Sequence, residues 1–231
     1  MKFRRRRLAV VLMTVISLAI ILHQAVNLSE ISSSATRDVL PPKAETALRV
    51  LEQLSVKDKM LKIDYNRMRF GNGWTSNKGC DTRNIILNRD LNKVVIGENC
   101  VVQSGILNDP YTGQIIYFTR GSNTSSKIQI DHVVALNNAW QTGAYQFGYE
   151  KRIELTNDPL NLLAVNGAAN QQKSDSDASE WLPTNKPFRC QYVARQITIK
   201  QKYNLWVTRL EKQAINKVLQ TCPSQTLTYT N

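Results

Sequence analysis

Histidine is almost missing from this chain: among 231 residues only His23 and His132 carry an imidazole. His23 lies in an N-terminal segment laid out as a targeting signal, so any histidine chemistry in the exported protein has to run through His132. No C-x-x-C spacing occurs among the four cysteines, Cys80, Cys100, Cys190 and Cys222, and this takes away the usual signature of a zinc site. The uncharged apolar run Leu8 to Leu22 is fifteen residues long, short of the roughly 20 that a spanning helix needs. A recognition helix and an aromatic stacking series are both lacking, so no element for reading a base sequence is visible.

What is present begins with a basic cluster, Lys2 and Arg4 to Arg7, ahead of that apolar run. This is the n-region and h-region layout of a secretory signal, with Ser33-Ser34-Ala35 as the nearest small-x-small site. Residues 1–35 are therefore read as a signal peptide, or as a signal anchor with the protein facing outward if the leader is retained. A linker over 36–43, a single domain over 44–223 and a polar tail over 224–231 follow. Without residues 1–35, 25 of the 30 basic and 17 of the 18 acidic groups remain, net +8. That sign suits polyanionic partners such as nucleic acid, although an anionic cell surface would satisfy it equally. Four cysteines in an oxidising compartment favour two disulfides over metal ligation. Of the three connectivities, proximity in sequence favours Cys80 with Cys100 and Cys190 with Cys222.

Helical spacing of Ala47, Leu48, Leu51 and Leu54 predicts a helix from Pro42 to Ser55. Asp81 or Thr82 can cap a short helix carrying Ile85, Ile86 and Leu87. Short strands are expected at 94–96 and 100–102, and a turn at Asn108 to Gly113 is followed by a strand at 114–119. The alternating strand 127–130 then delivers Asp131 and His132 at its end. A helix is expected over 133–145, then a polar stretch, the turn Asn157 to Leu160, a buried strand over 161–165 and a helix from Ala168 to about Ser174. Cys190 to Lys202 reads as a helix, and Thr208-Arg209-Leu210-Glu211 is a capping box opening a last one.

Strand-end Asp131-His132, then Asn161-Leu162-Leu163-Ala164-Val165, then Asn170 and Lys173 on a short helix is a combination with chemistry in it. Hydrolysis of a phosphodiester needs a base for water and a cation for the charge developing on phosphate oxygen. The combination resembles the HNH, or His-Me finger, endonucleases, and the wider pattern is similar to a secreted bacterial HNH-type family. Its motifs here are Cys80 to Asn84, Asp109 to Gly113, Ile130 to Leu136, Asn157 to Val165, Glu180 to Pro183, and Cys190 with Tyr192.

The resemblance implies an α+β fold with a ββα-metal core over about 127–175, added helices and short strands, and two disulfides. It implies a metal-dependent endonuclease of little sequence specificity acting on DNA, with RNA as a second candidate. His132 would be the general base, Asp131 and Asn170 the metal ligands, and Asn161 the brace of the histidine loop. Lys173 and Arg83 are candidates for phosphate contact, although a solvated lysine and an arginine holding a structural carboxylate are the commoner uses of such residues. Asn at position 170, where the family often has His, favours Mg²⁺ with Mn²⁺ second and makes zinc the weaker fit. No small-molecule cofactor is implied, and membrane contact would come only through a retained leader. Two other readings stay open: a secreted protein of the same fold that binds nucleic acid or another polyanion without cutting it, and a secreted interaction protein.

Overall fold

Thr46 opens the first helix, α1 (Ala47–Gln53), by accepting a hydrogen bond from the Arg49 amide at 3.4 Å. The helix thus begins after Thr46, whose side chain satisfies an otherwise unpaired amide of the first turn, and Pro42 lies outside the described residues. The computed structural model describes residues 45–122 and 124–228, together with His23. The rest of the leader, the linker over 36–43 and residues 229–231 lie outside the described residues. The chain divides into two units, Met1–Lys43 and Ala44–Asn231, and the elements named here belong to the second.

A 3₁₀ turn at Arg67–Phe70 is capped by Asn66, whose Oδ1 accepts from the Met68 amide at 2.9 Å. A small hairpin of β1 (Ser76–Asn77) and β2 (Cys80–Asp81) leads into α2 (Thr82–Asp90), where Asp81 Oδ1 accepts from the Asn84 amide at 2.7 Å. Three antiparallel strands follow in order, β3 (Asn92–Ile96), β4 (Val102–Asn108) and β5 (Ile115–Thr119). Cys100 sits in a short 3₁₀ turn before β4, so the strand expected at 100–102 begins only at Val102.

The centre of the chain is β6 (Ile128–His132), α3 (Leu136–Gln141), α4 (Tyr149–Asn157), β7 (Leu162–Asn166) and α5 (Gly167–Lys173). Strands β6 and β7 pair antiparallel, from Ile128 opposite Asn166 to His132 opposite Leu162. The helix expected over 133–145 is cut to α3. The chain turns at Gly143, whose φ of 133° lies where side-chain-bearing residues are strained. Helix α4 arises in the stretch read only as polar. Its burial is confined to Leu155 and Thr156, too few apolar positions to signal a helix in sequence. The last helices are α6 (Arg189–Lys202) and α7 (Arg209–Leu219), and α7 carries the Thr208–Glu211 capping box.

Alternation along β7 sets its place. Leu163 and Val165 join a cluster with Tyr111, Tyr192, Ile197 and Ile215, while Leu162 and Ala164 join one with Ile86, Phe118 and Ile128. A strand buried on both faces reads as a continuous apolar run, which is what Leu162 to Val165 supplies. Its outer edge meets side chains instead of a third strand. Asp90 accepts from the Ala164 amide at 2.8 Å, Asp109 from the Asn166 amide at 2.8 Å, and Arg89 donates to the Leu162 carbonyl at 2.6 Å.

Disulfides join Cys80 to Cys100 and Cys190 to Cys222, with Cα separations of 5.3 and 6.4 Å. The first ties the start of α2 to the loop before β4, and the second ties the start of α6 to the turn after α7. Residues 224–228, read as the start of a polar tail, run against α1: Leu227 is buried and its amide reaches the Glu45 carbonyl at 3.4 Å. The fold is α+β, with a ββα unit formed by β6, β7 and α5.

Candidate active site

Asp131 and His132 occupy the last two positions of β6, so their side chains leave the strand on opposite faces. Both nevertheless line one pocket of about 420 Å³, whose wall also includes Tyr65, Arg67, Trp74 and Asn170.

His132 is 8% exposed as a residue, and its imidazole stacks on Trp74, with ring centroids 5.6 Å apart and planes 13° apart. Its Nε2 lies 2.9 Å from the carbonyl of Thr156. That carbonyl belongs to the last turn of α4, where carbonyls have no partner inside the helix. A carbonyl can only accept, so Nε2 carries the proton and Nδ1 keeps its lone pair. Burial, reinforced by the positive charge of Arg67 and opposed by the Thr156 bond, pushes the His132 pKa down to about 3. The base form therefore persists to much lower pH than the ordinary value of about 6.5 would allow. Activity that needs this lone pair is present above the folded-state pKa and lost as pH falls through it. Any reaction that draws on this lone pair is expected to show no break in rate near pH 6.5 when followed from about pH 8 to about pH 4.5.

Asp131 is enclosed. Lys173 Nζ donates to its Oδ1 at 3.0 Å, the Tyr111 hydroxyl donates to its Oδ2, and Lys173 also reaches the His132 carbonyl at 2.9 Å. Burial raises the carboxyl pKa, against the pull of the Lys173 ammonium and the two side-chain donors. Lys173 has no exposed surface, so neither sequence reading of it, phosphate contact or solvated lysine, describes its place. Helix α5 puts it there because Asn166 caps the helix, accepting from the Ala169 amide at 2.9 Å. Gly167 also lets α5 start against the 3₁₀ turn Ser125–Lys127 that precedes β6, where any Cβ would run into the Ser126 carbonyl oxygen.

Asn170, one turn before Lys173, donates through Nδ2 to Gln129 Oε1 at 2.8 Å. That bond fixes the amide so that Oδ1 is left without a hydrogen-bond partner among the described residues. Asn161 is fully buried. Its Oδ1 accepts from the Val134 amide at 2.8 Å, its Nδ2 donates to the Val134 carbonyl at 3.2 Å, and its own carbonyl accepts from the Val133 amide at 2.7 Å. The two residues that follow His132 are thereby clamped from both sides. Arg83 lies elsewhere. Its guanidinium donates through Nη2 to the carbonyls of Ile128 at 3.2 Å and Ser125 at 3.4 Å, so it braces backbone away from the pocket wall that carries His132.

Sequence reasoning missed Tyr111, Gln129, Trp74 and Arg67. Tyr111 stood in a segment whose turn chemistry explained it sufficiently, and Gln129 is the outward position of an alternating strand. Trp74 and Arg67 sit in polar, turn-rich sequence, where nothing local distinguishes them.

A short antiparallel pair ending in Asp-His, followed by a helix that carries Asn170 to the same pocket, makes this an HNH-type nuclease fold. Residues 71–218 match the family described as the C-terminal domain of GmrSD restriction endonucleases, and the chain belongs to that family. A protein of Arthroderma benhamiae, named "Uncharacterized secreted protein", is 34% identical over 183 residues that span 78% of this chain and 87% of that one. No solved structure matches. Among the described residues no helix is long and apolar enough to cross a membrane.

Proposed function

We propose that this chain is a secreted, metal-dependent endonuclease that hydrolyses phosphodiester bonds of DNA, and of RNA as a second substrate, with little sequence specificity. One observation carries the reading: Thr156 holds the His132 proton on Nε2, and the imidazole lies on the pocket wall that also presents Asp131 and Asn170. Two disulfides and a relative named as secreted support an extracellular place of action.

His132 takes the proton of the attacking water at Nδ1, and Thr156 prevents the ring from rotating as it does so. Asn161 keeps the backbone after His132 from drifting, which fixes where that lone pair sits. Trp74 covers one face of the ring and limits access of water to it.

The donor set suits a hard divalent cation. Asp131 takes a side-chain donor on each carboxylate oxygen, and two carboxylate oxygens have more lone pairs than these donors fill, while Asn170 Oδ1 is unpartnered among the described residues. Among those residues no three His, Cys, Asp or Glu side chains converge, so a bound cation would keep several waters, as Mg²⁺ does and Mn²⁺ can. When bound, such an ion polarises phosphate oxygens and offsets the charge they develop.

Supercoiled plasmid incubated with the purified protein is expected to be nicked in Mg²⁺ and spared by chelator. His132→Ala should lower the rate by about 10²- to 10⁴-fold. Undiminished cutting by that variant would sink the assignment of the base. DNA binding without nicking under any divalent ion would point instead to the non-catalytic binding protein.

A further inference from the structure

The ionisable groups on the pocket wall are Tyr65, Arg67, Asp131, His132 and Asp175. Both carboxylates already have a cation. Asp131 is paired with Lys173 at 3.0 Å and Asp175 with Lys62 at 2.6 Å, and Asn137 adds a second donor to Asp175 at 2.6 Å. Arg67 differs from them. Among the described residues it makes no ion pair and no side-chain hydrogen bond, so its charge is left over for whatever enters the pocket.

The backbone beneath Arg67 is fixed, as a binding residue requires. Asn66 caps its 3₁₀ turn, Phe70 at the other end is fully buried against Leu155 and Trp140, and Gly71 closes the turn at φ 100°. A Cβ at Gly71 would collide with the Ile153 side chain, so the turn packs directly on α4, the helix whose Thr156 orients His132. The other two candidates for phosphate contact are committed inside the fold, Arg83 to backbone carbonyls and Lys173 to Asp131. Arg67 also precedes the segment 71–218 that matches the family, so the matched segment does not contain the pocket's unpaired cation.

We propose that Arg67 is the phosphate-binding residue of this site, its guanidinium gripping the non-bridging oxygens of the phosphodiester under attack. The proposal rests on the nuclease reading above. Two parallel N–H donors match two phosphate oxygens in a way a lysine cannot. In the reaction, the water oxygen bonds to phosphorus as the water proton passes to His132. The bond to the leaving oxygen breaks, and that oxygen takes a proton from solvent. Arg67 forms and breaks no covalent bond, and it stabilises the added negative charge on the oxygens it holds.

The test compares Arg67→Gln and Arg67→Lys with Arg209→Gln, which removes the same charge from exposed α7. Each is measured for plasmid cleavage in Mg²⁺, for thermal midpoint, and for binding of a fluorescein-labelled single-stranded DNA 12-mer in chelator, where 12 is about the span of an ordinary single-strand site. Arg67→Gln is expected to lose roughly 100-fold in kcat, with an unchanged midpoint and a binding salt slope shallower by about one. Arg67→Lys should recover part of kcat, and Arg209→Gln should cut like the parent. Equal kcat for Arg67→Gln and Arg209→Gln overturns the proposal. If the parent protein cuts nothing under any divalent ion, the nuclease reading fails and Arg67 is judged on the 12-mer alone: weaker binding by Arg67→Gln than by Arg209→Gln supports it, and equal binding overturns it.

Discussion

Lys173→Met is expected to destabilise the protein by about 3–5 kcal/mol, the usual cost of removing one member of a buried ion pair. The size follows from burial on both sides: Lys173 has no exposed surface, and Asp131 keeps only 5% of its own. Without the ammonium, the Asp131 charge retains only the Tyr111 hydroxyl and a backbone donor, while the His132 carbonyl loses its partner. The measurement is denaturant unfolding of the parent, of Lys173→Met, of Asp131→Asn and of the double variant. Because the penalty comes from a stranded charge, the double variant should recover much of the loss. A single variant within about 1 kcal/mol of the parent would show that Asp131 is already neutral in the fold.

Asn161→Ala is expected to cost about 2–4 kcal/mol and to depress cleavage at temperatures where the protein is still folded. Two effects combine. The Val134 amide and carbonyl would both be left unpaired in a buried segment, at about 1–3 kcal/mol each when no water replaces the lost partner. His132 sits two residues before Val134, and displacing a reacting group by about 1 Å can lower a rate by roughly 100-fold. Thermal unfolding and cleavage of the same preparation separate the two, because the catalytic loss should remain well below the melting temperature. Full activity per folded molecule would mean that Thr156 and Trp74 suffice to place the ring.

Much of the centre is legible in the sequence because its signals are local. The alternation of Ile128, Gln129 and Ile130 gives the strand, Leu162 to Val165 gives its doubly buried partner, and the Thr208–Glu211 box gives the last helix. What is not legible depends on distant partners. Lys173 looks like a surface lysine until the fold brings Asp131 from 42 residues away. Arg83 looks suited to an anion until the carbonyls of Ser125 and Ile128 arrive. The depressed basicity of His132 follows from burial and from Arg67, neither of which its neighbours in sequence announce. Helix α4 escaped notice because its contribution is one buried face and one terminal carbonyl.

The side chains along the outer edge of β7 have a consequence for the protein's life in solution. A two-stranded sheet ordinarily leaves each strand with one row of open donors and acceptors, which another chain can extend into a growing stack. Here Asp90 and Asp109 occupy the outward amides of Ala164 and Asn166, and Arg89 occupies the outward carbonyl of Leu162. The segment they cover, Leu162 to Val165, is short, apolar and uncharged, the composition from which intermolecular stacks grow. By setting one base and two acids in the positions a neighbouring strand would fill, these three residues act as gatekeepers against self-association.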